Sequence, residues 1–455
     1  MSTAASRSVG ESMSESVNGS GSVWPFPFAD AGEGSLTRRQ WGGLIAAFAA
    51  LHYLSLLLAA WSGNFDPNPN HDHVFVMRDV LATGLPQRAI WPPGFGYFLA
   101  GKWLLMKALG LPYWMGKVLV DVFLVVASGI ASVELGRRLT HNRRLAVASG
   151  LGLVAAPIFL LASAEGLAVL LFQPIFLGSL ILLVGALQRL GGSLALTAAH
   201  TALAGGVMGA ACLVRANPQF LIFALVPFVL GTLGPGRFGR RLLRTSALVL
   251  VFVLGQSLAT APWQSWQRTL GASGVFTAPV LYYAFIDGLP RHPGNRVSDW
   301  AREHRAELPL TFESVVNINT RWLREDPGAL LRLYALKVVR TWYLSDSGRW
   351  DRAILLLHLP WWLGAVFGLG LWYRRLGSRA GVLRRIWTDP ALVFLVLTVL
   401  YMWGVSALVA GLARYMAPVY GLLGLAAGLA VLSVGKTADR WLRPTTPGGS
   451  GGGRP

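Results

Sequence analysis

Ten apolar segments, each about as long as a bilayer core is thick, constrain this chain more than any other feature. A helix needs about 20 apolar residues to cross a membrane. The segments are 41–61, 115–136, 145–163, 166–188, 194–214, 218–233, 245–262, 353–373, 390–411 and 415–434. Charged residues make up 13% of the chain, against about 25% in soluble proteins. The sequence therefore predicts an all-α polytopic membrane protein with about ten transmembrane helices, and it excludes a soluble enzyme or a disordered protein.

One further apolar stretch, 94–110, is predicted to lie in the membrane interface. It contains Lys102 and Lys107, and a lysine at the bilayer centre costs about 3 kcal/mol on insertion scales. A short helix on the outer surface accommodates both lysines. The alternative is an ordinary span with lysines that reach back to the headgroups.

The basic charge indicates topology rather than nucleic-acid binding. The chain has 40 Lys and Arg against 21 Asp and Glu, a net charge of +19. About half of the basic residues fall in loops such as 137–144, 234–244 and 374–389. The positive-inside rule places these loops in the cytoplasm, with both chain ends on the same side. The lone Cys212 excludes an intramolecular disulfide.

The chain divides into one membrane domain and two tails. Residues 1–40 are rich in Ser and Gly and are predicted to be a disordered cytoplasmic tail, and 436–455 a flexible one. The membrane domain, 41–435, has long outer loops at 62–114 and 263–352. Long loops of this kind are usually functional.

The second outer loop carries a helical pattern between residues 311 and 343. Apolar residues recur there at helical spacing. Pro327 divides the pattern into two helices, with Asp326 as a cap of the second. Both are predicted to lie on the outer membrane surface.

Polar residues gather where the chain leaves the first span. Asp66 and Asp72 lie in NFDPNPNHDHVF, and either carboxylate could act as a general base. The alternative is a polar turn in which Asp72 caps a helix. His71 and His73 flank Asp72, but histidines two positions apart point to opposite sides of most regular structures, so a metal site is a minor alternative.

Two acids and a lysine lie at the outer ends of later spans. Asp121 is inside the second span, where acids are rare and face a cavity or a partner. Lys117, four residues earlier, is predicted to pair with it on one helix face, for structure or for function. Glu165 either faces the same cavity or caps the next helix.

Arg215 and Arg414 end their spans on the predicted outer side, against the positive-inside bias. An anion held at that surface would explain them, and Arg suits phosphate. The alternative is that both reach to outer-leaflet headgroups.

The order of these pieces resembles the polytopic glycosyltransferases of the GT-C fold, most closely protein O-mannosyltransferases and lipid A aminoarabinose transferases. The resemblance covers roughly residues 41–435. Its motifs in chain order are Asp72, LATG (81–84), WPPGFGYFLA (91–100), GGVMGAACLVRANP (205–218), APWQSWQRTLGASGVF (261–276), LREDPGALLRLYALKVVRTWY (323–343) and ARYMAPVY (413–420). Many relatives have an Asp-Glu pair where this chain has Asp72 and His73.

The resemblance implies transfer of a sugar, with mannose the first candidate, from a polyprenyl-phosphate donor to a lipid, glycan or protein acceptor. The transfer would be inverting and on the outer face. Asp72 would be the base, with Asp66 as its rival. The substrate-binding candidates are Arg215, Arg414, Tyr415, Glu165, Asp121, Lys117, His71 and His73. No cofactor is assigned, although a divalent metal serves some relatives.

Two other functions stay open from the sequence. A transporter or flippase of lipid-linked intermediates is the main alternative, and a non-catalytic scaffold is the third. No phosphate-binding loop of the ATPase kind is present. No long segment follows the last span, which favours single-sugar transferases over oligosaccharyltransferase subunits. The absence of an outer N-x-Ser/Thr sequon favours a prokaryotic plasma membrane.

Overall fold

The computed structural model describes most of the membrane domain. The described residues are 36–63, 65–68, 71–87, 92–189, 193–233, 237–270, 317, 320–321, 323–343, 351–375, 389–409 and 413–442. Both predicted tails, except 36–40 and 436–442, and most of the outer loop 263–352 lie outside this part. Within the described residues all regular structure is helical, which confirms the all-α prediction.

Sixteen α-helices form the described part of the chain. In chain order they are α1 Arg38–Trp61, α2 His71–Thr83, α3 Gly94–Ala108, α4 Met115–Leu119, α5 Asp121–Thr140, α6 Arg143–Val154, α7 Pro157–Glu165, α8 Ala168–Gln188, α9 Leu194–Val214, α10 Leu221–Ala224, α11 Val226–Thr232, α12 Phe238–Thr269, α13 Pro327–Arg340, α14 Asp351–Arg375, α15 Pro390–Val409 and α16 Tyr420–Leu442.

Seven helices of the described part are long and apolar enough to cross a membrane, and the count is eight if the bent pair of α6 and α7 is one span. The pair bends by 50° where Pro157 begins α7. The last predicted span, 415–434, contains a shorter apolar helix, Ala417–Ser433. The chain is therefore a multi-pass membrane protein, but the predicted count of about ten spans is not confirmed.

The predicted span 218–233 is two short helices, α10 and α11, that meet at Leu225. Arg241 of α12 donates to the carbonyl of Leu230 (2.6 Å), and Gln256 of the same helix donates to that of Gln219 (2.9 Å). These two α12 residues are 15 positions apart, which is about 22 Å of helix. The broken segment therefore runs back along α12 over about this distance, so that α9 and α12 can pack in parallel.

The core of the bundle surrounds α8. Its most apolar window is 67% buried, against 22% for α1 and for the first part of α14, which face outward. Small residues let the inner helices approach closely, as is common in membranes. A Cβ on Gly152 of α6 would meet the Cα of Gly424 of α16 at 2.5 Å. The backbones of α6 and α16 are therefore in direct contact.

Two helices lie within the predicted outer loops, and their location on the outer surface stays a prediction. Helix α3 has 15 residues, about 22 Å, which is shorter than the ~30 Å bilayer core. Helix α13 begins at Pro327 directly after Asp326, as predicted, and buries Leu330 and Leu333. The Trp342 ring that follows α13 lies 5.6 Å from the ring of Trp403 in α15.

Candidate functional site

The two outer arginines, far apart in sequence, lie together in the structure. Arg215 follows the last residue of α9 with an extended backbone. Arg414 lies in a 3₁₀ turn, Ala413–Tyr415, between α15 and α16. Nη1 of Arg215 donates to the carbonyl oxygen of Arg414 at 3.4 Å. We call Arg215 and Arg414 the outer arginine pair.

Tyr415 joins the two guanidinium groups. The Cζ atoms of Arg215 and Arg414 lie 4.5 and 5.6 Å from the centre of its ring. The ring face attracts each cation. The two like charges nevertheless repel each other, and an anion between them would relieve this repulsion. The arrangement of the outer arginine pair is therefore suited to binding a phosphate.

Residues 92–94 of the WPPG motif bring the start of α3 against the end of α9. Pro92 and Pro93 are buried and lead into α3 at Gly94. A Cβ on Gly94 would lie 2.8 Å from the carbonyl oxygen of Leu213, near the end of α9. Only glycine allows this approach without a shift of backbone. Helix α3 therefore packs directly against the turn that presents Arg215.

His73 of α2 completes the cluster. Its ring lies 4.9 Å from that of Phe95 in an edge-on arrangement. Burial, together with the positive charges of Arg215 and Arg414, lowers the pKa of His73 to about 3. A neutral imidazole beside two arginines adds no further charge to the site. It can exchange hydrogen bonds with a ligand or an acceptor.

The predicted base Asp72 precedes His73 in the first turn of α2. The side chains of Asp72 and His71 lie outside the described residues, so their roles stay predictions. The carboxylate of the rival, Asp66, accepts the backbone N–H of Asn68 at 2.8 Å. This bond closes a local turn, and it commits one carboxylate oxygen of Asp66 to structure.

A second cluster is built around Asp121, and here the predicted pairing is wrong. Asp121 forms its ion pair with Lys102 of α3 rather than with Lys117: Nζ of Lys102 lies 3.0 Å from both carboxylate oxygens. Both side chains are almost completely buried. Lys102 therefore points into the bundle. The sequence predicted the interfacial helix but not the direction of this side chain.

Lys117 instead forms hydrogen bonds to two turns, one after α1 and one after α7. Its ammonium donates to the carbonyl oxygens of Asp66 (2.6 Å) and Glu165 (3.2 Å). His52 of α1 donates from Nε2 to the carbonyl oxygen of Lys117 at 2.9 Å. These bonds fix the loop that leads from α1 towards α2. Lys102 and His52 belong to this support, and sequence reasoning missed both.

The two clusters are connected through α3. Phe95 contacts His73, and Lys102 holds Asp121 seven residues further along the helix, about 10 Å away. The predicted residues thus separate into a group around the outer arginine pair and a supporting group. Arg215, Arg414, Tyr415 and His73 form the first, whereas the described contacts of Asp66, Lys117, Asp121 and Glu165 belong to the second.

In the part of the chain that the structure describes, no three His, Cys, Asp or Glu side chains are grouped to hold a metal ion. That part excludes the side chains of His71 and Asp72, on which the sequence placed its minor metal alternative.

This architecture is similar to that of an oligosaccharyltransferase from Archaeoglobus fulgidus. The structure of this enzyme, AglB, in complex with an inhibitory peptide and a dolichol-phosphate is 14% identical in sequence, with a TM-score of 0.50 over 90% of this chain and 52% of the other. Its apo form is 16% identical, with a TM-score of 0.52 over 89% and 52%. The chain thus spans about half the length of these proteins. No protein-family model and no curated protein sequence matches it.

The structural similarity shows the fold of the protein. The chain is a membrane protein of the GT-C fold, as the order of its sequence motifs predicted. The narrower resemblance to protein O-mannosyltransferases and aminoarabinose transferases stays a prediction.

Proposed function

We propose that the protein is a glycosyltransferase that uses a polyprenyl-phosphate sugar as donor. The outer arginine pair carries this proposal, because two guanidinium groups on one tyrosine ring suit a phosphate at the membrane surface. The complex of AglB with a dolichol-phosphate supports a lipid phosphate as a ligand of this fold. Residues 41–435 form the catalytic unit.

The reaction we propose is a single displacement with inversion. Asp72 accepts the proton of the acceptor hydroxyl, and the resulting oxygen attacks the anomeric carbon of the sugar. The bond from that carbon to the phosphate oxygen breaks, and polyprenyl phosphate leaves. The outer arginine pair stabilises the negative charge that develops on the leaving phosphate. Mannose is the first candidate sugar, and the acceptor is a lipid, glycan or protein.

The location follows from the same proposal. The outer arginine pair faces the side away from the basic loops, so transfer takes place on the outer face of the membrane. We place the protein in a prokaryotic plasma membrane, with both tails in the cytoplasm.

Binding of decaprenyl phosphate to the purified protein tests the role of the arginines. Arg215→Gln and Arg414→Gln should each weaken binding about tenfold to a hundredfold, since a hydrogen bond to a charged group contributes about 1.5–3 kcal/mol. Arg268→Gln, at the exposed outer end of α12, removes the same charge and serves as control. Equal affinity in all four proteins would exclude the outer arginine pair as the phosphate site.

Transfer of radiolabelled mannose from polyprenyl-phosphate mannose tests the base and separates the alternatives. Asp72→Asn should keep decaprenyl phosphate affinity and thermal stability but lose transfer. Undiminished transfer would exclude Asp72 as the base. Movement of polyprenyl-phosphate mannose from one leaflet of a proteoliposome membrane to the other, without a new glycosidic bond, would favour the flippase instead.

A further inference from the structure

A cavity at the opposite end of the bundle has no part in the proposed transfer. It lies between the ends of α5 and α8 and has a volume of about 210 Å³, several times the ~30 Å³ of one water in the liquid. We call it the inner basic cavity; it is lined by Arg137, Arg138, His141, Gly185, Gln188 and Arg189. Arg138 is 17 residues beyond Asp121 on α5, which is about 25 Å along the helix.

The charges around this cavity are unbalanced. One carboxylate, Glu134, serves two arginines: it accepts from Nε and Nη2 of Arg137 at 2.8 Å and from Nε of Arg138 at 2.7 Å. Arg189 instead contacts the Nε2 atom of His200, at 3.1 Å. Three guanidinium groups therefore face one carboxylate among the described residues. An anion in the cavity would offset the excess positive charge.

Arg138 is held in place before any ligand binds. Nη1 of Arg138 donates to the carbonyl oxygen of Ile181 at 3.1 Å, across the surface of α8. A Cβ on Gly185 would collide with this guanidinium group. Gln188 donates to the carbonyl oxygen of Arg138 at 2.8 Å, which joins the two helix ends. Fixed donors lose little conformational entropy when they bind, which favours affinity.

His141 gives a second, independent indication of a ligand. It ends α5 in a left-handed conformation, with φ of 51°, an uncommon backbone state for a residue other than glycine. Its Nε2 atom is buried and has no hydrogen-bond partner among the described residues. Buried polar atoms without partners are rare in proteins. Burial and the charge of Arg137 lower the pKa of His141.

We propose that the inner basic cavity binds a phosphate group at the cytoplasmic face of the membrane. Guanidinium forks match the oxygens of a phosphate. The cavity lies at the ends of two spans, where lipid headgroups are found, and basic pockets between membrane helices suit anionic headgroups. The phosphate can belong to an anionic phospholipid or to a soluble phosphate compound.

Thermal unfolding of the full chain in nanodiscs tests this proposal. Phosphatidylglycerol discs should raise the Tm by several degrees relative to phosphatidylcholine discs, because a bound ligand stabilises the folded state. Arg189→Gln and Arg137→Gln should each remove at least half of this rise. Arg240→Gln, on the exposed start of α12, loses the same charge and should keep the rise.

A second arm separates the two sources of the phosphate. Millimolar pyrophosphate added to phosphatidylcholine discs should raise the Tm only if a soluble phosphate compound is bound. A rise there that Arg189→Gln removes supports the same site with a soluble ligand. An absence of any rise in both arms, or an equal rise in all four proteins, overturns the proposal. Phosphatidylglycerol that remains with the purified protein, counted by native mass spectrometry, should fall at least twofold in Arg189→Gln, even if its stability is reduced.

Discussion

Buried charges decide how individual residues of the outer face act. Arg215 and Arg414 share one tyrosine ring. Lys102 and Asp121 neutralise each other as a buried ion pair. Basic side chains of the same face thus take part in a cation–π cluster in one case and in an ion pair in the other.

Lys102→Met should destabilise the protein by about 3–5 kcal/mol, because it leaves the carboxylate of Asp121 buried without its partner. The double variant Lys102→Met with Asp121→Leu should regain most of this loss. Unfolding in detergent measures both. Lys107→Met, on the exposed side of the same helix, should change stability by less than about 0.5 kcal/mol. Additive losses in the double variant would contradict the assignment.

The pH dependence of stability should carry a contribution from His73. Its pKa in the folded protein is about 3, against 6.5 in the unfolded chain, so below pH 6.5 the unfolded state binds one more proton. Stability from this residue is complete above pH 6.5 and is lost as the pH falls towards 3. At pH 4.5, the loss of stability relative to pH 7 should be about 2.5 kcal/mol smaller in His73→Gln than in the native protein. Parallel Tm curves for the two proteins between pH 7 and 4.5 would exclude this role.

At the scale of elements, α3 connects the two outer clusters. Its first turn lies against the end of α9 and beside His73, and its middle holds Asp121. A small displacement of α3 would therefore change two contacts together: that of Gly94 with the end of α9, next to Arg215, and that of Lys102 with Asp121 of α5. Packed helix interfaces tolerate added volume poorly.

Two identical substitutions in α3 should have opposite effects. Gly94→Ala places a methyl group 2.8 Å from the carbonyl oxygen of Leu213, and it should cost about 1–3 kcal/mol and weaken decaprenyl phosphate binding. Gly101→Ala meets no atom within 4 Å and should stabilise the helix by up to about 1 kcal/mol. Tm values of the two variants check this, and equal values would contradict the close contact at Gly94.

At the scale of the whole molecule, the bundle has two chemically different ends. One end carries the outer arginine pair and the buried contacts around Asp121, and the other end carries the inner basic cavity. Helix α12 connects the two sides, with Arg240 near its start and Arg268 near its end, both exposed. They are 28 residues apart, about 42 Å along the helix.

Cysteine labelling in intact cells should reveal this sidedness. Arg268→Cys should react with a membrane-impermeant maleimide from outside, whereas Arg240→Cys should react only after the cells are permeabilised. Cys212 is fully buried, so the native chain gives a low background. The reverse pattern would invert the predicted topology and would place the outer arginine pair in the cytoplasm.

The sequence by itself determined the membrane class, the positions of most spans and the order of motifs that matches the GT-C fold. The first two properties follow from hydropathy, which adds up along the chain and needs no knowledge of neighbours. The third rests on the resemblance of the motifs to a known family. It also singled out Arg215 and Arg414, because each breaks the charge bias of the loops. The apolar segments 145–163 and 218–233 are helical, but their breaks at Pro157 and Leu225 were not predicted, and neither is confirmed as a single span.

Only the tertiary structure decided which side chains meet. Spacing along one helix favoured Lys117 as the partner of Asp121, yet Lys102, 19 residues away, takes that place. The inner basic cavity likewise depends on Arg138 crossing α8 at Gly185. Such pairings depend on the rotation and distance of packed helices, where burial raises the strength of each charge interaction, and no local pattern in the sequence encodes these quantities.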